Sequence, residues 1–212
     1  LATNRDTKEL VILDITDKAA PVEVGNGFNT PGNVNGRSVA AVGTTVYLGT
    51  QANTGGPEFY VLNAADPSAV TLIGPAYEVG ADVNDINIGG NYGYWSYAYL
   101  ATSHPSKEFL VLDLINYSNP GTIIEQASYN VPGTAIGRGV DQVTLWTPTP
   151  TLRLYGVTSN QGAQPDFFIF NAQPGVPLSL LSSLDLNSDN SRVMTSGKLT
   201  FISSLLPSEN LT

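Results

Sequence analysis

Four acidic side chains stand at one place in a repeated phrase. Glu9 opens Glu9-Leu10-Val11-Ile12-Leu13-Asp14, and Glu58 opens Glu58-Phe59-Tyr60-Val61-Leu62-Asn63. Glu108 opens Glu108-Phe109-Leu110-Val111-Leu112-Asp113, and Asp166 opens Asp166-Phe167-Phe168-Ile169-Phe170-Asn171. Carboxylates returned to one spot by a repeat could form an acidic ring that gathers cations or a basic partner. They could equally fasten loops, by accepting hydrogen bonds from backbone amides or from threonines across a hairpin. A structural role recurs in every repeat, whereas a site usually breaks the repeat, and charges are usually solvated or locally paired. Loop fastening is therefore the favoured reading.

Other reactive residues are sparse. There is no cysteine, which excludes disulfides, thiolate metal sites and thiol catalysis. The single histidine, His104, lies between Ser103 and Pro105. A Ser-His-acid triad needs the imidazole held by a carboxylate and reaching its serine through space, and neighbours on an extended loop point apart. No Gly-x-Ser-x-Gly elbow is present. Asp185, Asn187 and Asp189 alternate like the start of a calcium loop. The pattern then fails, with Asn190 in place of glycine and Ser196 in place of the bidentate glutamate. An Asx-rich turn is expected there, with no metal and no other cofactor, and calcium is the one ion worth testing. Pairs of acids for glycoside hydrolysis can be drawn at will from eighteen, so they carry no weight.

These residues are positioned by a repeat of about fifty residues, which points to one supersecondary unit used several times. Each unit reads as four strands. First strands are expected at 38–42, 84–88, 141–145 and 192–196. Second strands end at Thr50, Thr102 and Thr158, and Leu1-Ala2-Thr3 matches such an end. The third strand is the phrase itself, whose continuous apolar run suggests burial on both faces. An Asx residue and a nearby proline turn the chain into a fourth strand at 22–24, 70–73, 122–124 and 178–181. No segment has helical periodicity over ten residues.

The expected class is all-β: a β-propeller of about four four-stranded blade-equivalents, forming one domain over 1–212. The repeats run approximately over 1–35, 36–80, 81–136 and 137–189, with a partial unit at 190–212. Pairing of the last first and second strands with the N-terminal third and fourth would close a ring. An arc of a larger propeller is the alternative. The abrupt opening suggests a chain cut from a longer precursor.

The phrases Leu10-Val11-Ile12-Leu13-Asp14 and Phe109-Leu110-Val111-Leu112-Asp113 resemble the LVIVD repeat of bacterial and archaeal surface-type β-propellers. Tyr97-Ala98-Tyr99-Leu100-Ala101-Thr102 is similar to the family's element just ahead of that strand. The resemblance implies a surface or adhesion repeat with no catalytic motif, sometimes placed behind a pilin-like segment. The fourth unit departs from the pattern, with an aromatic phrase followed by an irregular 172–177.

In a propeller, the starts of the first strands line the central channel. Here they offer Arg37, Asp82, Asn84, Asp85, Arg138, Asp141 and Arg192, which differ between units. Mixed charges of this kind could hold a polar ligand in a concave mouth, or close the channel as a ring of salt bridges. Tyr92, Tyr94, Trp95 and Tyr97 form an aromatic cluster in an insertion, with Trp146 in the matching region of the next unit. Such aromatics could stack on sugars or anchor a protein, or pack over the adjacent blade.

Composition narrows the partners. Against 18 acids stand 9 basic residues, for a net charge of −9, and the basic ones are scattered. This disfavours nucleic acid and anionic membranes. No run approaches the roughly 18 apolar residues of a membrane span, and no signal peptide is evident. Only 13% of residues are charged, and Thr, Ser and Asn are abundant, which fits an exported protein better than a cytosolic enzyme. Asn116-Tyr117-Ser118 and Asn210-Leu211-Thr212 match the glycosylation pattern.

The expected function is a non-catalytic extracellular or cell-surface propeller. It would serve as a binding, adhesion or filament-associated module for a protein or glycan ligand, within a larger surface protein or filament. A hydrolase with acids at the channel mouth and a structural assembly subunit are the alternatives.

Overall fold

The computed structural model describes residues 2–5, 8–32, 34–90, 97–114, 122–146 and 150–205. Among them every regular element is a strand and none is a helix, so the protein is all-β. Tyr92, Tyr94 and Trp95 lie outside the described residues, as do both glycosylation patterns. The chain divides into two compact units, Leu1–Ile86 with Ile115–Ile123, and Asn87–Leu114 with Ile124–Thr212.

In the first unit, β1 (Ala2–Arg5) pairs with β2 (Lys8–Leu10), and β3 (Leu13–Asp14) pairs with β4 (Val22–Glu23). β5 (Gly36–Val42), β6 (Thr45–Thr50), β7 (Phe59–Asn63) and β8 (Thr71–Leu72) form an antiparallel sheet in chain order. β9 (Val83–Gly89) runs across the boundary between the units.

In the second unit, β10 (Tyr97–Thr102), β11 (Phe109–Asp113) and β12 (Ile124–Tyr129) belong to a sheet ordered β12-β11-β10-β9. β13 (Gly137–Trp146), β14 (Pro150–Thr158), β15 (Phe167–Asn171) and β16 (Ser179–Leu184) form the next. β17 (Asn190–Ser196) and β18 (Leu199–Ser204) pair only with each other among the described strands. Four neighbouring antiparallel strands in chain order make a blade-type sheet, and three such sheets are complete. The pairing of chain ends that the sequence suggests is not among the described ladders.

The third strands behave as their composition demands. Phe59 to Leu62 and Phe109 to Leu112 are buried at every position, because both faces of the strand are covered. β15 departs from this: Phe168 and Phe170 are buried while Phe167 and Ile169 are half-buried, so this run alternates. In the first repeat the phrase divides into β2 and β3, since β1 reaches only as far as Leu10 in register.

The fourth strands differ most from expectation. β12 begins where the expected strand at 122–124 ends, and runs on to Tyr129. Its far end is drawn in by packing: the Tyr129 ring lies 4.7 Å from Phe170 and 6.4 Å from Phe168. In the first two repeats the same ladder position survives as the single bridges Leu10↔Phe28 and Phe59↔Tyr77. There the strand is interrupted by left-handed Gly25, at φ 68°, and Gly74, at φ 67°. A Cβ on Gly25 would meet the Pro67 carbonyl oxygen at 1.7 Å, so only glycine fits.

Each unit has an apolar core among its described residues. In the first unit Leu10, Leu48, Tyr60 and Leu62 pack with Phe28 and Val46. In the second, Tyr99, Phe109, Val140, Leu152, Leu154, Phe168 and Phe170 form the centre. Phe109 lies 5.8 Å from Phe168 and 5.4 Å from Phe170, in tilted contacts that aromatic quadrupoles favour.

Candidate functional site

The four repeated acids are fully buried. Each carboxylate accepts hydrogen bonds from backbone amides further along the chain. Glu9 Oε2 accepts from Thr30 N at 2.6 Å, and Glu108 Oε2 from Val131 N at 2.8 Å. Glu58 Oε2 accepts from Val79 N at 2.9 Å and Gly80 N at 3.0 Å, while Oε1 accepts from Asn53 N at 3.2 Å. Asp166 accepts from Leu186 N at 2.8 Å and Ser188 N at 3.1 Å.

The geometry repeats because the acid immediately precedes the first third-strand residue that pairs with the far end of the fourth strand. Those pairs are Leu10↔Phe28, Phe59↔Tyr77, Phe109↔Tyr129 and Phe167↔Leu184. The nearest latched amide then lies two residues beyond each pairing residue. A buried carboxylate needs partners, and backbone amides leaving a strand need acceptors. The acids thus fasten each loop that leads to the next unit's first strand.

The residues expected at a channel mouth divide between the two units. In the first, Arg37 bridges two partners on the next strand and its approach. Its Nη2 lies 3.2 Å from Asp82 Oδ2, and its Nε donates to Asn84 Oδ1 at 3.1 Å. The other Asp82 oxygen accepts from Ala52 N at 2.8 Å, and Asp85 is buried. In the second unit Asp141, on β13, accepts from Thr195 N at 2.6 Å and Asn87 Nδ2 at 3.0 Å. Half-burial pushes the Asp141 carboxyl up from its ordinary range, against the opposing pull of those hydrogen bonds. Arg138 keeps its Nε buried without a hydrogen-bond partner, and Arg192 is an exposed residue of the partly buried β17. Thus Arg37, Asp82, Asn84 and Asp141 tie neighbouring strands together within their own units.

Of the aromatic cluster, Tyr97 is half-buried and packs against the second unit's core. The loop with Asp185, Asn187 and Asp189 is an Asx turn, in which Asp185 Oδ1 accepts from Asn187 N at 2.8 Å and Asn187 adopts φ 52°. Asn tolerates that region better than most residues. The loop is anchored from beneath by Asp166. Among the described residues no group of three His, Cys, Asp or Glu side chains is placed to hold a metal ion. His104 Nδ1 is engaged by Ser106, accepting its amide at 3.2 Å with the hydroxyl 3.3 Å away. The imidazole shapes its own turn.

Sequence reasoning missed an apolar groove of about 400 Å³ in the first unit. Leu10, Val11, Ile12, Leu13 and Ile15 form one wall, and Val39, Ala40, Ala41 and Val46 the other.

Blade-type sheets joined by latched loops define a β-rich repeat protein. More particularly, the chain carries an LVIVD repeat: the family model of that description matches residues 5–30. No curated protein and no solved structure matches the chain. Among the described residues no helix is long and apolar enough to cross a membrane.

Proposed function

We propose that this protein is a non-catalytic module that works outside the cell or on its surface. It holds rigid loops for a protein or glycan ligand, as part of a larger surface protein or filament. The observation that carries this reading is the use of Glu9, Glu58, Glu108 and Asp166 as backbone latches. The most regular ionisable groups of the chain serve the scaffold. Loops pinned by buried carboxylates lose little conformational freedom when they bind, which favours recognition.

The test uses labelled protein against arrays of glycans and extracellular proteins, with recovery of whatever binds. Saturable binding and chemically unaltered ligand are expected. Turnover of the ligand would overturn the non-catalytic reading. An antibody to the chain should also label intact cells that produce it; labelling only after lysis would overturn the surface location.

A second reading, an assembly subunit, is favoured by large apolar residues that stand exposed on the described strands. Leu13, Phe201, Met194 and Leu199 are all exposed.

A further inference from the structure

Arg37 and Arg138 hold the same place in their sheets. Each is the extra residue of a bulge at the start of a first strand. Gly36↔Thr50 is followed by Ser38↔Gly49, and Gly137↔Thr158 by Gly139↔Val157. Asp82 and Asp189 correspond as well, since each directly precedes the following first strand, β9 or β17. Asn84 and Ser191 are the second residues of those strands.

In the first unit this set is satisfied. Arg37 Nη2 lies 3.2 Å from Asp82 Oδ2, Arg37 Nε donates to Asn84 Oδ1 at 3.1 Å, and Asp82 Oδ1 accepts from Ala52 N at 2.8 Å. In the second unit it is not: Arg138 Nε and Asp189 Oδ1 are both buried with no hydrogen-bond partner among the described residues. Serine at 191 is shorter than asparagine, and its hydroxyl is held within its own hairpin, 2.9 Å from Ser203 Oγ. The two strands are nevertheless adjacent. Asn190 Nδ2 donates to Thr158 O at 3.5 Å, Thr195 N donates to Asp141 Oδ2 at 2.6 Å, and a Cβ on Gly139 would stand 2.9 Å from Arg192 Cα. Arg138 lies between Gly137, the partner of Thr158, and Gly139, while Asp189 adjoins Asn190. Both therefore belong to one junction between β13 and β17. Each residue as a whole is only half-buried, so a ligand can approach from solvent.

Buried polar atoms normally have partners, and an unpaired one calls for a specific cause. Here the repeat itself shows the closed arrangement, and the second unit departs from it. The two open atoms have opposite needs: a guanidinium only donates and a carboxylate only accepts. An anion would suit Arg138 and be repelled by Asp189, and a cation the reverse. A hydroxyl accepts and donates at once. It can also take the place of a bridging water without losing a bond. We propose that Arg138 and Asp189 read a hydroxyl group of a neutral glycan, the arginine donating to its oxygen and the aspartate accepting its hydrogen. This rests on the reading of the protein as a recognition module and selects a sugar as its ligand.

The test probes an array of neutral oligosaccharides ending in glucose, galactose, mannose or fucose with the parent chain, Arg138→Gln and Asp189→Asn. The parent should bind at least one of them, and each variant should bind it about tenfold less, the loss of a charged hydrogen bond. Mono-deoxy analogues of the bound sugar add a readout that a structural role would not move. Removing the hydroxyl that is read should weaken binding to the parent and leave binding to Asp189→Asn almost unchanged. In urea unfolding of the free protein, a double-mutant cycle of Arg138→Gln with Asp189→Asn should show no coupling, whereas Arg37→Gln with Asp82→Asn should show it. A parent that binds no neutral sugar would overturn the proposal, as would variants that bind like the parent. Coupling of Arg138 with Asp189 as strong as that of Arg37 with Asp82 would also overturn it, because the pair would then close on itself. Capture of an extracellular protein by the parent and by Arg138→Gln alike would leave the recognition reading standing while this site falls.

Discussion

Glu108 and Val131 are 23 residues apart in the chain, and the buried Glu108 carboxylate accepts the Val131 amide at 2.8 Å. The same relationship links Glu9 with Thr30, Glu58 with Val79 and Asp166 with Leu186. Each latch spans the fourth strand, so it couples that strand's exit to the third strand's entry. A hydrogen bond to a charged group contributes more than a neutral one, and leaving a buried partner unmade costs more still.

Glu108→Ala should therefore destabilise the protein by about 1.5–3 kcal/mol. Glu108→Gln, which keeps an acceptor oxygen, should cost less. Urea unfolding of the two variants checks the order. Equal stability of Glu108→Ala and the parent would remove the latch from the argument.

Gly25 and Gly43 separate two costs of glycine replacement. Both have positive φ, 68° and 60°, but a Cβ on Gly43 meets nothing within 4 Å, whereas on Gly25 it meets the Pro67 carbonyl. Backbone strain of this kind is worth about 1–3 kcal/mol. Gly43→Ala should lose no more than that, and Gly25→Ala should lose clearly more. Thermal unfolding of both variants measures the gap, and equal melting temperatures would show that the Pro67 contact is slack.

Asp141 predicts a pH dependence. Its folded-state carboxyl is raised above 3.8, chiefly by desolvation. The folded state then holds more protons than the unfolded state in the window from 3.8 up to the raised value. Its contribution to stability is favourable below that window and is lost as pH rises through it. Asp141→Asn keeps an acceptor for Thr195 N and removes the titration. Relative to the parent, the variant should gain stability between acid and neutral pH. A stability difference that does not change with pH would contradict the assignment.

Arg37 lies in a partly exposed ion pair with Asp82 and a hydrogen bond with Asn84. Pairs of this kind contribute roughly 0.2–1 kcal/mol. Arg37→Ala should lower stability by about that amount and leave the fold intact by circular dichroism. If Arg37 also touches ligand, the same variant will lose binding far beyond its small stability loss.

The strands were legible in the sequence because each is short, strongly apolar and bounded by Asx, Pro or Gly. Expected third strands at 58–63, 108–113 and 166–171 coincide closely with β7, β11 and β15. The turns were legible too: Asp14 accepts Thr16 N at 2.8 Å and Asn63 accepts Ala65 N at 3.0 Å, as residues of that kind do locally. The loop-fastening role of the acids was readable from recurrence alone, since a repeated residue answers a repeated backbone need. The partners were not, because the amides lie about twenty residues onward and become neighbours only when the fourth strand pairs.

Sequence alone indicated an all-β chain built on a repeated phrase, with an acid at the foot of each equivalent loop. Those features depend on periodicity and local dihedral preference, which each segment carries by itself. Tertiary structure decided where β12 ends, that Arg37 pairs with Asp82 and Asn84, and that Leu13 is exposed while Leu62, Leu112 and Phe170 at the same place in the phrase are buried. Those outcomes depend on which strand stands beside which. A residue's burial is a property of its neighbours across the sheet, and no single segment encodes them.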